Sequence, residues 1–462
     1  MITVEKIGGT SMSQFGEVLK NIMLRDPKNV NGRVYVVSAY SGVTNELLEH
    51  KKTGAPGIYA KFAQGDNYGA AMDQLLAKLK GINKEMQPLG LDLAKADGFL
   101  EKRLRDLKAY LDSMRHVLAS GYIARENVLL AAREMLAAIG EAHSAFNAVE
   151  ILRGKGQAAT FMDLTGFDDD ETWTIDERIH RSFQDVDPAK QIVVVTGYTK
   201  GSEGIMREFD RGYSEVTFSK VAVEIDADEA IIHKEFHLSS ADPELVGGAT
   251  NVVPVGQTNY DVADQLADVG MEAIHPKAAK PIEMAGIAIR LKNTFEPDHP
   301  GTLITKTYVG KQARVEMIAG TQKVTIVDIH DPRMVGAIGF DLGILEIFKK
   351  HGVSYILKST NANSITHVIP DKAAKAGFID ELKARYELVT TMPAAVVCVI
   401  GTNIAIPGVL ARATTVLAEN KINVICVSQA YRQINMQFVI ERADYKKAVS
   451  ALNQALCLNA TR

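Results

Sequence analysis

Lys6 stands two residues ahead of a glycine pair in the opening stretch Val4-Glu5-Lys6-Ile7-Gly8-Gly9-Thr10-Ser11. Those residue types in that order suit phosphate chemistry. The glycines bare the backbone, a helix start aims N–H groups without intrahelical acceptors at one point, and lysine adds a positive charge. An ordinary strand–turn–helix with a solvated lysine fits the same residues, and so short a pattern does not separate the two readings. A second ligand-facing stretch is the hydroxyl-rich Ser38-Ala39-Tyr40-Ser41-Gly42-Val43-Thr44-Asn45, which follows an apolar run.

Further candidates lie downstream. Gly140 interrupts a helical stripe at a cost of about 1 kcal/mol relative to alanine, which marks close packing or an approaching ligand. Glu141 beside it suits a ligand contact or a solvated surface acid. His143 is expected on the helix surface or packed, not as a base. Arg211, in Asp210-Arg211-Gly212-Tyr213-Ser214-Glu215, offers a planar fork for a carboxylate or phosphate, and an internal ion pair would use it equally well. Asp168-Asp169-Asp170 is expected to be a solvated loop, because three adjacent acids rarely turn inward together. His233, Glu235 and His237 would share one face of a strand, but they lack zinc-protease spacing and no further ligand cluster follows. No protein metal site is expected. Cys398, Cys426 and Cys457 read as buried thiols in a reducing compartment.

These residues need a scaffold. With 462 residues, 46% hydrophobic and 23% charged, the chain is long enough for two or three domains. A net charge of −4 without a basic block disfavours nucleic acid or an anionic membrane as the main partner. No signal peptide or membrane-spanning run is visible, so a cytoplasmic location is expected. Strands alternate with helices over the first 300 residues, which predicts an α/β fold with an open, mainly parallel sheet and helices on both faces. A Lys-, Leu- and Ala-rich helical insertion interrupts it at about residues 49–125. From Val315 a β-loop-αββα order appears, and it recurs from Ala395. Such repeats form small α+β domains that bind amino acids in a seam or hold a dimer together. The expected boundaries are 1–305, 315–390 and 393–462.

Taken together, the stretches resemble the aspartate kinases of the amino-acid kinase superfamily. Lys6 to Ser11 is similar to the family's Lys-Phe-Gly-Gly-Thr-Ser signature, and Ser38 to Asn45 to its second loop. Gly140-Glu141 with Ser144 matches its Gly-Glu-x-x-Ser helix, and Arg211 to Glu215 its Arg-Gly-Gly-Ser-Asp turn. Ala241-Asp242-Pro243, His275-Pro276, Lys292-Asn293-Thr294-Phe295 and Pro300-Gly301-Thr302 follow in the family's order, and the repeats resemble its tandem ACT domains. The segment Ile232 to His237, the insertion, and Glu141 to Ala145 resemble the subtype associated with ectoine synthesis.

The resemblance implies phosphoryl transfer from ATP, with Mg²⁺ carried by the nucleotide, to the side chain of L-aspartate. A carboxylate with a pKa of about 3.9 is already ionised at neutral pH and needs no general base. By resemblance, Lys6, Gly8 and Gly9 act in catalysis; Thr44, Glu141, Arg211, Gly212, Ser214 and Glu215 hold aspartate. Lys6, Gly8, Gly9, Thr10, Ser11, Gly197, Lys234, Lys277 and Lys292 are implied at the nucleotide. The ACT loops, through Asn361, Asn363 and Gln433, would take an effector such as lysine or threonine, and the ACT domains would hold a homodimer or a larger assembly. Departures from the family are Tyr213, Glu215, Ser239, Glu244 and Glu272, with Lys234 and Lys277 as replacement cations. Two other readings stand beside this one: a non-catalytic ACT amino-acid sensor on an emptied kinase fold, and a kinase for another amino acid such as glutamate.

Overall fold

Val34-Tyr35-Val36-Val37 and Ile192-Val193-Val194-Val195 are wholly buried, as strands covered on both faces must be. The structure, a computed structural model, describes residues 1–27, 29–209, 212–271 and 274–459. It divides into two compact units, one formed by residues 1–237 and 275–301, the other by 238–274 and the chain from 302 onward. Among the described residues, no helix is long and apolar enough to cross a membrane.

In the first unit, β1 (Thr3–Ile7), β2 (Arg33–Val37), β3 (Ala159–Met162), β4 (Ile192–Thr196), β5 (Glu229–Lys234) and β6 (Ala288–Asn293) are parallel. Their order is β3-β4-β2-β1-β5-β6. The chain therefore leaves β1 towards β2 on one side and later returns to its other side as β5. The carboxyl end of a strand at such a reversal opens a crevice, the usual ligand site of an open α/β sheet. The insertion is helical: α1 (Gly69–Met86) and α2 (Leu93–Ser120) pack together, and α2 lies on α3 (Arg125–Gly154). Phe99 of α2 stacks on Phe146 of α3 at 4.2 Å. The unit is completed by α4 (Tyr213–Glu224) and α5 (Pro276–Ala285), which pack on one another.

The second unit holds the repeat. Strands β7 (Met317–His330), β8 (Leu357–Thr360), β9 (Ser364–Pro370), β10 (Leu388–Ile400), β11 (Val424–Gln429) and β12 (Asn435–Glu441) form an antiparallel sheet in the order β8-β9-β7-β10-β12-β11. Helices α6 (Phe340–Lys350) and α7 (Ala376–Arg385) cover the first repeat, and α8 (Val409–Glu419) and α9 (Tyr445–Leu452) the second. The two long strands serve both repeats. Val324 to His330 pairs with β9 and with Leu388 to Ala394, whereas Met317 to Thr321 pairs with Val396 to Ile400. A register shift between Ala394 and Val396 marks the joint. The second repeat thus takes one edge of its sheet from the opening half of β7, a strand that belongs to the first. Helix Tyr260–Asp268 packs Val262 and Leu266 into a core shared with Val324, Val396 and Cys398. None of the three cysteines forms a disulfide, and Cys398 and Cys457 are buried.

Candidate active site

β1 carries Lys6 to the carboxyl edge of the sheet, where it registers against Val36 and Ile232. Its Nζ lies 3.1 Å from Glu215 Oε1. Glu215 occupies the first turn of α4, and Gly212 begins that helix at a φ of +91°, a conformation that favours glycine. Glu215 Oε2 accepts the His275 N–H at 2.8 Å, so one carboxylate spans Lys6 and the start of α5. Burial alone would raise this carboxyl, but Lys6, Lys234 and the His275 amide together hold it below its ordinary value.

Only one glycine of the pair is sterically required. A Cβ on Gly9 would stand 2.5 Å from the Ala39 carbonyl oxygen, so only glycine lets the first and second loops approach; at Gly8 a Cβ would meet nothing within 4 Å. Ser13 Oγ accepts the Ser41 N–H at 2.8 Å and donates to Gly9 O at 3.1 Å, tying the loops together. Thr10 is exposed. Ser11 is fully buried and turns away, to Thr294 Oγ1 at 3.0 Å and Glu235 Oε1 at 3.4 Å.

Glu141 is not a surface acid. It is 3% exposed and accepts the Ser214 hydroxyl at 2.8 Å; Ser214 Oγ in turn accepts the Ser38 hydroxyl at 3.1 Å. Burial pushes its carboxyl up to about 8, against the opposing pull of Ser214 and the Lys6 charge. Its Oε2 has no hydrogen-bond partner among the described residues; the Tyr198 and Ala39 amides face the carboxylate without reaching hydrogen-bond geometry. A Cβ on Gly197 would fall 2.7 Å from Val37 O and 2.9 Å from Glu141 Oε2, so this wall also requires glycine. Gly140 marks close packing, since a Cβ there would lie 2.7 Å from Ala39 Cβ.

The insertion reaches this wall, which sequence reading missed. Asn83 of α1 is fully buried, with its Oδ1 2.7 Å from His143 Nε2 and 2.8 Å from Asn147 Nδ2. His143 is packed edge-on against Tyr40 at 5.3 Å, and burial depresses its pKa to about 3, so it stays neutral. The available signal was a polar residue at the helical spacing of Leu75, Leu79 and Met86.

Other sequence candidates fall in several places. Lys234 lies two residues beyond Ile232, the register partner of Lys6, and so shares its face of the sheet. Lys277 stands over the Phe209 ring at 5.0 Å, and that ring meets His275 edge-on at 5.5 Å. Thr44 is partly buried in the short helix Val43–Leu47. Arg211 and Glu272 lie outside the described residues; Gly212 and Tyr213 beside Arg211 are described, and Tyr213 is buried edge-on to Tyr198 at 5.8 Å. Lys292 is not with Lys6. It registers against His233 and lines a cavity with Glu5, whose side chain points to the other face of β1.

The acidic loop is solvated, as expected: Asp168, Asp169 and Asp170 are all exposed, and two of them make surface ion pairs. Asp168 pairs with Lys102 at 2.5 Å, and Asp169 with Arg178 at 2.8 Å and Lys200 at 3.3 Å. His233, Glu235 and His237 go to three different partners: Glu5, Ser11 and Glu296. Among the described residues, no three acidic, histidine or cysteine side chains stand together as a metal cage. In the second unit, Asn361 Oδ1 accepts the Asn363 and Ser364 N–H groups at 3.2 and 3.0 Å, closing the β8–β9 turn. Asn363 Nδ2 lies 3.2 Å from His330 Nε2, and Gln433 takes a φ of +53° in the β11–β12 turn.

Comparison with known proteins gives the family and the fold. The profile of the amino acid kinase family matches residues 1–293, and that of an ACT domain matches residues 397–456. The chain is 44% identical to the aspartate kinase Ask_Ect of Stutzerimonas stutzeri, over 99% of this chain and 97% of that protein. Aspartokinase III of E. coli, solved in complex with aspartate and ADP, superposes with a TM-score of 0.73 at 20% identity, covering 99% of this chain and 100% of that one. The aspartate kinase of Clostridium acetobutylicum gives 0.70 at 21% identity, covering 98% and 99%. At those identities the two structures establish the fold.

Proposed function

The chain belongs to the aspartate kinases of the amino acid kinase family, and we propose that its Lys6 cleft transfers the γ-phosphoryl group of ATP to the side-chain carboxylate of L-aspartate. The observation that carries this assignment of roles is the meeting of Lys6 with Glu215, beside the glycine loop, with Glu141 and Ser214 close by.

A carboxylate oxygen of aspartate attacks Pγ, the bond from Pγ to the bridging oxygen breaks, and ADP leaves with that electron pair. The acceptor is already an anion, so catalysis consists of alignment and charge neutralisation. Lys6 leaves Glu215 for the phosphoryl oxygens, while amides of the Gly8–Gly9 loop support the same charge. Glu141, harder to ionise in its buried site than in water, receives the substrate ammonium group and Arg211 the α-carboxylate; Ser214, Gly212, Thr44 and Glu215 shape the pocket. Lys234 and Lys277 serve the nucleotide. Lys292 is left out, because its side chain lies on the other face of the sheet. Mg²⁺ carried by the nucleotide would supply further neutralisation of the phosphate charge.

Residues 1–305 then form the catalytic part, and 315–390 and 393–462 the ACT-like parts that bind an amino-acid effector or hold a dimer. Asn361 serves its own turn, so effector contacts fall first to Asn363 in the first repeat and to Gln433 in the second. The 44% relative supports placing the chain in the ectoine-associated subtype.

Hydroxylamine trapping of the acyl phosphate tests the proposal. Wild type should give aspartyl hydroxamate only with both ATP and aspartate, and Lys6→Ala should lower kcat by about 10²–10³-fold. A preference for glutamate would overturn the substrate assignment. No ADP release under any condition would favour the non-catalytic sensor.

A further inference from the structure

The strand that presents Lys6 to the crevice turns its neighbour Glu5 to the opposite face, into a cavity of about 380 Å³. Its wall comes from β1, β2, β5 and β6 together with Asn21 of the helical run that follows the glycine loop and Arg25 just beyond its end. The volume falls within the roughly 300–1,000 Å³ typical of small-molecule sites.

The charges in this cavity are unevenly matched. Glu5 is buried and already satisfied: Arg33 meets it with Nε at 2.7 Å and Nη2 at 2.9 Å, and His233 Nε2 lies 2.7 Å from its Oε2. Arg25 pairs with Asp298 at 2.7 Å, and Asp26 at the rim accepts from Asn29. Lys292 is different. Its Nζ donates to the Pro297 carbonyl at 3.1 Å and meets no carboxylate among the described residues. Burial lowers its pKa, and Arg25, Arg290 and Arg33 lower it further, so it stands in a field of positive charge that Glu5 does not cancel. His233, 5% exposed, keeps its buried Nδ1 without a hydrogen-bond partner.

Two buried or half-buried nitrogen groups with unused hydrogen-bonding capacity, in a cation-rich cavity, are costly unless something occupies it. The geometry points to a second anion site, on the reverse face of the sheet, in which Lys292, Arg25 and His233 hold one phosphate or carboxylate group of a small metabolite. A bound anion supplies an acceptor for the idle ammonium protons of Lys292. The site shares strands with the Lys6 cleft, because Glu5 and His233 alternate along β1 and β5 with Lys6 and Lys234.

The test must separate this cavity from the phosphate-binding cleft. Equilibrium dialysis of full-length Lys6→Ala protein against labelled inorganic phosphate and, separately, labelled succinate does so, and also tells a phosphate ligand from a carboxylate one. Saturable binding of at least one probe is expected. Adding Lys292→Met should weaken it by about tenfold to a hundredfold, and Lys292→Arg should restore most of it. Arg25→Ala, at an exposed position, serves the same purpose if Lys292→Met fails to fold. Absence of binding by both probes in Lys6→Ala, or binding that survives the loss of Lys292 or Arg25 unchanged, would overturn the site. Neither result bears on aspartate phosphorylation, which the hydroxamate assay reads by itself.

Discussion

Replacing Glu141 by glutamine should make the protein more stable at high pH and worse at binding aspartate. Burial raises this carboxyl from an ordinary 4.5 to about 8. The protonated form is therefore favoured by folding. Its contribution is complete below pH 4.5 and is lost as pH rises towards 8. At 1.36 kcal/mol per pH unit, wild type should lose roughly 3–4 kcal/mol through this one group between pH 5 and pH 8. Glu141→Gln keeps an oxygen for the Ser214 hydroxyl and cannot ionise, so it escapes that loss. The chain has one tryptophan, Trp173, and it lies in the same unit as Glu141, so urea unfolding followed by its fluorescence reports on the relevant region. The stability gap between variant and wild type should be small at pH 5 and should grow by a few kcal/mol at pH 8. An equal gap at both pH values would refute the reasoning, because all other titrations cancel in the comparison. A second consequence follows at pH 7, where a group with a pKa of about 8 is about 0.9 protonated. Aspartate binding must then expel most of a proton, which calorimetry in buffers of different ionisation enthalpy detects. In Glu141→Gln that release should vanish, and the KM for aspartate should rise about tenfold to a hundredfold.

Two further substitutions examine the walls of the cleft. Gly197→Ala places a methyl group 2.7 Å from Val37 O and 2.9 Å from Glu141 Oε2, so kcat/KM for aspartate should fall at least about tenfold; a variant with wild-type kinetics would show that this wall yields freely. Asn83→Ala leaves His143 Nε2 and an Asn147 amide proton without their buried partner, and urea unfolding should register a loss of about 1–3 kcal/mol. An unchanged midpoint would mean that the insertion does not brace α3.

How much of this was legible in the sequence depended on how local the signal was. The glycine loop could be read because its residues act within one strand–loop–helix step. Gly140 could be read because a glycine inside a helix has a cost that must be explained. Glu141 was legible only through resemblance. Its burial is produced by Ser38, Gly197 and Ser214, residues distant in the chain, and no local pattern announces that convergence. The acidic triplet was read correctly as solvated, but its partners were hidden for the same reason, since Lys102, Arg178 and Lys200 come from three separate segments. The repeat was visible in its order of elements, but not the sharing of β7 and β10. That depends on pairing Met317 to Thr321 with a segment about eighty residues later.

Lys292 shows what strand register adds to motif reading. A motif places a lysine near the carboxyl end of a strand but does not say which face it takes, and a shift of one residue exchanges the faces. The ladder settles the question: Lys292 pairs with His233, His233 holds Glu5, and Glu5 alternates with Lys6. The sheet therefore separates two groups of cations that sequence proximity to the motifs had merged. On one face Lys6 is neutralised by Glu215, an ion pair that a phosphoryl group can displace. On the other, Glu5 is committed to Arg33 and His233, which leaves Lys292 without a counter-charge. A strand of five residues thus holds a cation ready for a transferring phosphate on one side and a buried acid that organises a separate positive cavity on the other.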